Sequence, residues 1–162
     1  PTSSNPANAI KTAAQSEILY LGNNQFLMLA RDSGFGHGQK PSNTKSNYRH
    51  VDLIDISSAT NLKSNANDAP TGAIASPAGV INAGITPVTF CSFLDFNVNS
   101  QLGRFTDASG IPLHNGGVQD QGLLNEKWES LGIVPVDGQD GDDDEWFLFS
   151  FSDNDFITQN GE

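Results

Sequence analysis

The chain has 162 residues and a mass of 17.3 kDa, with 36% hydrophobic residues, enough for one domain with a core of its own. Lys and Arg total 8 against 19 acids, for a formal charge of −11 and a pI near 4.4, which argues against a nucleic-acid backbone or an anionic membrane surface as partner. No apolar run approaches the roughly 20 residues that span a bilayer, so the expectation is a soluble protein.

Residues 1–12 are rich in Pro, Ser, Asn and Ala and read as a linker or arm. They have neither a basic region nor an apolar run and are not a signal peptide. Position 1 is not Met, so the chain is expected to begin after processing or to come from something longer. In "SEILYLGNNQFLMLARDSGFG" two apolar segments flank Gly22-Asn23-Asn24, the pattern of a β-hairpin. "NYRHVDLIDIS" supplies a third strand. Residues 57–86 are dominated by small, turn-forming types and predict a long excursion with one short helical or strand piece. Alternation resumes in "PVTFCSFLDFNV", where Cys91, the only cysteine, is expected to be a small buried hydrophobe. A second long loop leads to "LNEKWESLGIVPV" and to a last aromatic strand, "EWFLFSFS". No segment keeps a 3.6-residue apolar period for three turns, so the fold class is all-β.

The first hairpin has an echo near the end of the chain. "SEILYL" and "FLMLARDSGF" can be laid on "WESLGIV" and "FLFSFSDNDF", placing Glu17 on Glu129, Leu19 on Leu131, Asp32 on Asp153 and Phe35 on Phe156. A recurring unit of acid, strand, turn, strand and acid suggests a β-propeller. The glutamates stand 112 positions apart, between two and three blades of roughly 40 to 50 residues. The expected architecture is a partial β-propeller, about three to four antiparallel blades of a larger ring with long loops, over residues 13–162. The rest of the ring is then missing or on another chain. An independent β-sandwich is the competing architecture.

The acids carry the candidate chemistry. A glutamate opening an innermost strand can point its carboxylate toward a propeller channel. Calcium or another divalent cation takes six to eight oxygens, which suits Glu17, Glu129, Asp153 and Asn154 as metal ligands. A cation there could bind a phosphate or polarise an ester carbonyl and activate water. Glu129, Asp32 and His114 are the candidate catalytic residues; Arg31, just before the glycine-rich "DSGFGHGQ", and His37, within it, are candidates for holding an anionic substrate. The structural alternative for each acid is an Asx turn at a strand end. "DGQDGDDDE" has the alternating acids of a calcium loop, but Glu145 stands where glycine is required, so it reads as a solvated hairpin loop. There is no GxSxG elbow, and His37, His50 and His114 form neither HxH nor HExxH. His50 reads as a strand histidine with a satisfied hydrogen bond.

Long strings then bring in a family. Ala14 to Gly38, Tyr48 to Asn61, Phe90 to Phe105, Leu113 to Gly138 and Phe147 to Gly161, in that order, resemble stretches of the secreted fungal "esterase-like activity of phytase" family, the phytase-like propellers. The match runs from about residue 11 to the end and covers the C-terminal part of the family, whose members are more than twice this length. The resemblance implies a secreted hydrolase acting on phosphate or carboxylic esters, with a small-molecule ester as partner and the remaining fragment of the same protein as a second one. The alternatives are a non-catalytic extracellular ligand-binding propeller and an inactive proteolytic fragment.

Overall fold

Asn23 and Asn24 both adopt left-handed backbone, at φ 49° and 63°, which closes a two-residue turn of the type that matches strand twist. On this turn a computed structural model, which describes residues 13–136 and 145–153, builds the hairpin of β1 (Ala14–Gly22) and β2 (Gln25–Arg31). β3 (Arg49–Asp55) and β4 (Thr89–Asp95) follow as an antiparallel meander, giving one four-stranded sheet in the order β1-β2-β3-β4. β5 (Trp128–Pro135) and β6 (Trp146–Ser152) form a separate antiparallel pair. The excursion before β4 holds a 3-10 turn, Ala66–Asp68, and the loop after it one helical turn, α1 (Asn99–Leu102).

Strand periodicity decides what is buried. Leu19, Leu27, Leu29, Val51 and Leu53 occupy cross-strand positions on one face of the large sheet. The β5-β6 hairpin lies across that face, β5 against β1 and β2. Leu131, Ile133, Leu148 and Trp128 close a core with Leu27, Leu29 and Val51 at its centre, joined by Phe96. Each fully buried Leu or Val contributes roughly 1.5–3 kcal/mol. The opposite face of β2 is also covered, at Met28 and Ala30, so this central strand reads as a continuous apolar run.

Two sequence expectations are corrected, the burial of Cys91 and the alignment of the repeat. Cys91 is exposed, because β4 is the edge strand and the hairpin does not reach over it. The described residues form two antiparallel sheets, one of four strands and one of two, which agrees with an all-β fold. The two segments read as a long excursion and a second long loop fold as turns with isolated bridges, Ala75 to Ile81 and Thr106 to Pro112. The repeat also shifts. Phe26 to Asp32 still corresponds to Phe147 to Asp153, but Leu27 pairs with Leu19 whereas Leu148 pairs with Ile133. Glu17 therefore corresponds to Leu131, two positions from Glu129, and Glu129 is the unpaired residue of a bulge between Trp128 and Ser130. The arm 1–12, the acid run from 137 to 144, and Asn154 with the residues after it lie outside the described residues.

Candidate functional site

β2 and β6 end, and β3 and β5 begin, at one end of the molecule, where the two long loops 32–48 and 96–127 also meet. The antiparallel register sets Arg31 directly opposite Arg49. Two like charges side by side in a sheet repel, so their survival here depends on what surrounds them. Arg31 is almost fully buried and spends its guanidinium across the gap between the sheets. Its Nη2 reaches Glu129 Oε1 at 2.5 Å, Nε donates to the Trp128 carbonyl at 3.2 Å, and Nη1 donates to Ser33 Oγ at 3.1 Å and to the Asp32 carbonyl at 3.4 Å. Arg49 lies under the Trp128 ring, 5.3 Å from its centroid, with Nε and Nη1 buried and without hydrogen bonds. Burial pushes the Arg49 guanidinium down to about 10 and the neighbouring Arg31 adds to the effect, while Asp32 and Glu126 oppose it.

The other candidates are placed as follows. Asp32 is buried at the start of the first loop. Its Oδ1 accepts from Ser46 Oγ at 2.8 Å, and its Oδ2 from the backbone N–H groups of Asn47 at 2.7 Å and Tyr48 at 3.3 Å. Its carboxylate thus closes the loop. Ser46 in turn is gripped by Asn115, which accepts from the Ser46 N–H at 2.9 Å and donates to its carbonyl at 2.9 Å, tying the first long loop to the second. His37 is exposed, its N–H bonded to the Leu124 carbonyl at 2.8 Å. The neighbouring Gly36, at φ 119°, passes so near that a Cβ there would stand 2.6 Å from the same carbonyl oxygen. His114 bonds the Gly116 carbonyl through Nδ1 at 2.7 Å and Asp120 Oδ1 through Nε2 at 2.8 Å. Both ring nitrogens face acceptors, an arrangement that only the doubly protonated imidazolium satisfies. Burial lowers the His114 pKa, but the Asp120 and Gly116 bonds outweigh it and the net shift is upward.

Arg31, Asp32 and Glu129 are therefore brought together, and Asp153, whose N–H donates to the Lys127 carbonyl at 2.6 Å, follows β6 at the same end. Glu17 sits apart in β1, opposite Leu29, its Oε1 accepting from the Ile18 N–H at 2.8 Å. Among the described residues no three His, Cys, Asp or Glu side chains converge as a metal ion requires. Of the four candidate metal ligands, Glu17 stands apart from Glu129 and Asp153, and Asn154 lies outside the described residues.

Sequence reasoning missed a second cluster, on the sheet face away from the core. The Tyr48 ring stacks on His50 at 4.1 Å, and its hydroxyl donates to Asp52 Oδ2 at 2.9 Å. His50 Nδ1 stands 3.4 Å from Ser92 Oγ and 3.8 Å from Asp52 Oδ1, and Nε2 stands 3.5 Å from Asp95 Oδ1. Asp52 is fully buried, with Oδ1 left without a hydrogen bond. Burial and the Asp52 bond push the Tyr48 phenol well above its ordinary range. The signal was present in "YRHVD", where Tyr48, His50 and Asp52 fall at i, i+2 and i+4, on one face of a strand.

Fold and site together define an all-β protein of two packed antiparallel sheets with a polar, acid-bearing loop end. The chain is 51% identical over 166 residues to an "uncharacterized secreted protein" of Arthroderma benhamiae, a match covering 99% of this chain and 31% of the relative. It spans about a third of that protein's length. The chain is secreted, as the sequence reading expected, and no described helix is long and apolar enough to cross a membrane. No family model and no solved structure matches the chain.

Proposed function

We propose that the chain is part of a secreted, phytase-like propeller hydrolase that cleaves phosphate or carboxylic esters at the loop end of its sheets. The observation that carries the reading is the Arg31-Glu129 pair. It fastens the second sheet to the first where the loops converge, and it leaves the Glu129 side chain 39% exposed. The propeller part is supported by the four-strand meander, by the packing of the next hairpin across its face, and by the placement of β5 against β1 and β2. Arg31 holds one oxygen of Glu129 in place, and the carboxylate retains lone pairs with which to take a proton from a water attacking an ester. In the full-length protein, Glu129→Gln is expected to lower turnover of p-nitrophenyl phosphate or p-nitrophenyl acetate by about 100-fold or more with the circular dichroism spectrum retained. Unchanged turnover sinks the assignment.

A second reading, an extracellular ligand-binding module without catalysis, is favoured by a different observation. Both Asp32 oxygens and both His114 ring nitrogens are occupied in holding loops, which suits a rigid binding surface better than proton transfer. Absence of turnover in the full-length protein, with both ester classes and added divalent cations, would decide for this reading.

A further inference from the structure

β2 and β6 are corresponding strands, and they differ in what covers them. On β2, Met28 is 7% and Ala30 0% exposed, because β3 lies alongside and sets Asp52 and His50 opposite them. Their counterparts on β6, Phe149 and Phe151, are 43% and 58% exposed, and Phe147 is 53% exposed. The three rings form a ladder with 6.2 Å between successive centroids. Their partners across the hairpin are Val134, Gly132 and Ser130, two of them too small to shield an aromatic ring. Among the described residues β6 has a neighbour on one edge only, and an isolated two-stranded sheet is marginal in water.

We infer that β6 is a docking edge for a third strand supplied by the remainder of the same, longer polypeptide, which pairs antiparallel with it and lays apolar side chains over Phe147, Phe149 and Phe151. The occupant follows from three observations. The relative is about three times as long as this chain, so most of a protein of that size lies outside these residues. The connection from β2 to β3 occupies residues 32–48, and a strand placed likewise after β6 would begin beyond residue 162. A second copy is disfavoured by charge. The sequence puts "DGDDDE" just before β6 and Asp153 and Asp155 just after it, so two β6 edges paired antiparallel would bring acid against acid, between chains of formal charge −11 each.

Hydrogen exchange tests the inference. In an antiparallel strand alternate N–H groups point to opposite edges, so about half of the β6 amides face the free side. The expected result is that this alternate set exchanges about 100-fold more slowly in the full-length protein than in the 162-residue chain, with the β5-facing set similar in both. Equal exchange in the two forms overturns the inference. So does slow exchange of the same set in the 162-residue chain accompanied by concentration-dependent dimerisation in sedimentation, which would assign the edge to a second copy. Neither outcome depends on whether the protein hydrolyses esters.

Discussion

Replacing Arg31 by Met removes a side chain that joins β2, β5 and the first long loop. The guanidinium makes a charged pair with Glu129 and donates to two carbonyls and a hydroxyl, while its apolar stem is almost fully buried. Met keeps most of the stem packing, so the loss is chiefly polar. Each hydrogen bond involving a charged group contributes roughly 1.5–3 kcal/mol when both partners are buried. Glu129 is 39% exposed and can be rehydrated, so its share falls toward the 1 kcal/mol typical of surface pairs. Relief of the Arg31-Arg49 repulsion offsets a further part. The net cost is about 2–3 kcal/mol, which for a chain of this size lowers Tm by about 5–10 °C. A double-mutant cycle of Arg31→Met with Glu129→Gln, read by urea denaturation, is expected to give a coupling of about 1 kcal/mol. A coupling under about 0.3 kcal/mol, with Tm unchanged in Arg31→Met, would refute the view that this pair fastens the two sheets.

Leu29→Ala removes a side chain at the centre of the core, between β1 and β3 and under Leu131, and should cost about 2–5 kcal/mol in thermal or urea unfolding. Tyr48→Phe leaves both oxygens of the buried Asp52 without a hydrogen bond and should cost about 1–3 kcal/mol, a loss that Asp52→Asn in the same background should reduce. The His114-Asp120 pair makes the second long loop sensitive to pH. The histidine's folded pKa is raised above 6.5, so its contribution is full below that value and is lost as pH rises through the raised one. The aspartate's is depressed, so its contribution is lost as pH falls through the depressed value. Amides of residues 114–124 should accordingly be better protected at pH 5.5 than at pH 8.5 after correction for intrinsic exchange, and His114→Gln should abolish the difference.

How much of this was legible beforehand depends on the range of the interaction involved. The hairpin at Gly22-Asn23-Asn24 was legible because turn chemistry is local: two asparagines with left-handed backbone fix the register of Tyr20 against Phe26. The strands of the meander were legible because a period of two survives wherever one face is buried, as at Val51 and Leu53. Cys91 was misplaced for the complementary reason. Its neighbours alternate like a core strand, but whether a face is covered depends on where a hairpin 37 residues further on comes to rest, and that hairpin stops short of β4.

The candidate site shows the same division more sharply. Arg31, Asp32 and Glu129 were singled out as charged residues at strand ends, and the fold brings them to one place. What each of them touches was not legible, since Glu129 meets Arg31 only because a bulge between Trp128 and Ser130 takes it out of the ladder. Matching Glu17 to Glu129 failed nearer the turn: Leu19 pairs with Leu27 but Ile133 with Leu148, so the shift of two positions is already present at Leu131. Two similar strings align letter by letter, while hairpin registers are counted from the turn, and turns of different length leave the letters free to slip against the count. The alternation of Tyr48, His50 and Asp52 carried the opposite lesson. It was fully present in five consecutive letters, but polar residues at even spacing were read one at a time, as a strand histidine among neighbours. A buried aspartate beneath a stacked tyrosine and histidine is the arrangement that such spacing builds once the far face of the sheet is closed by its own side chains.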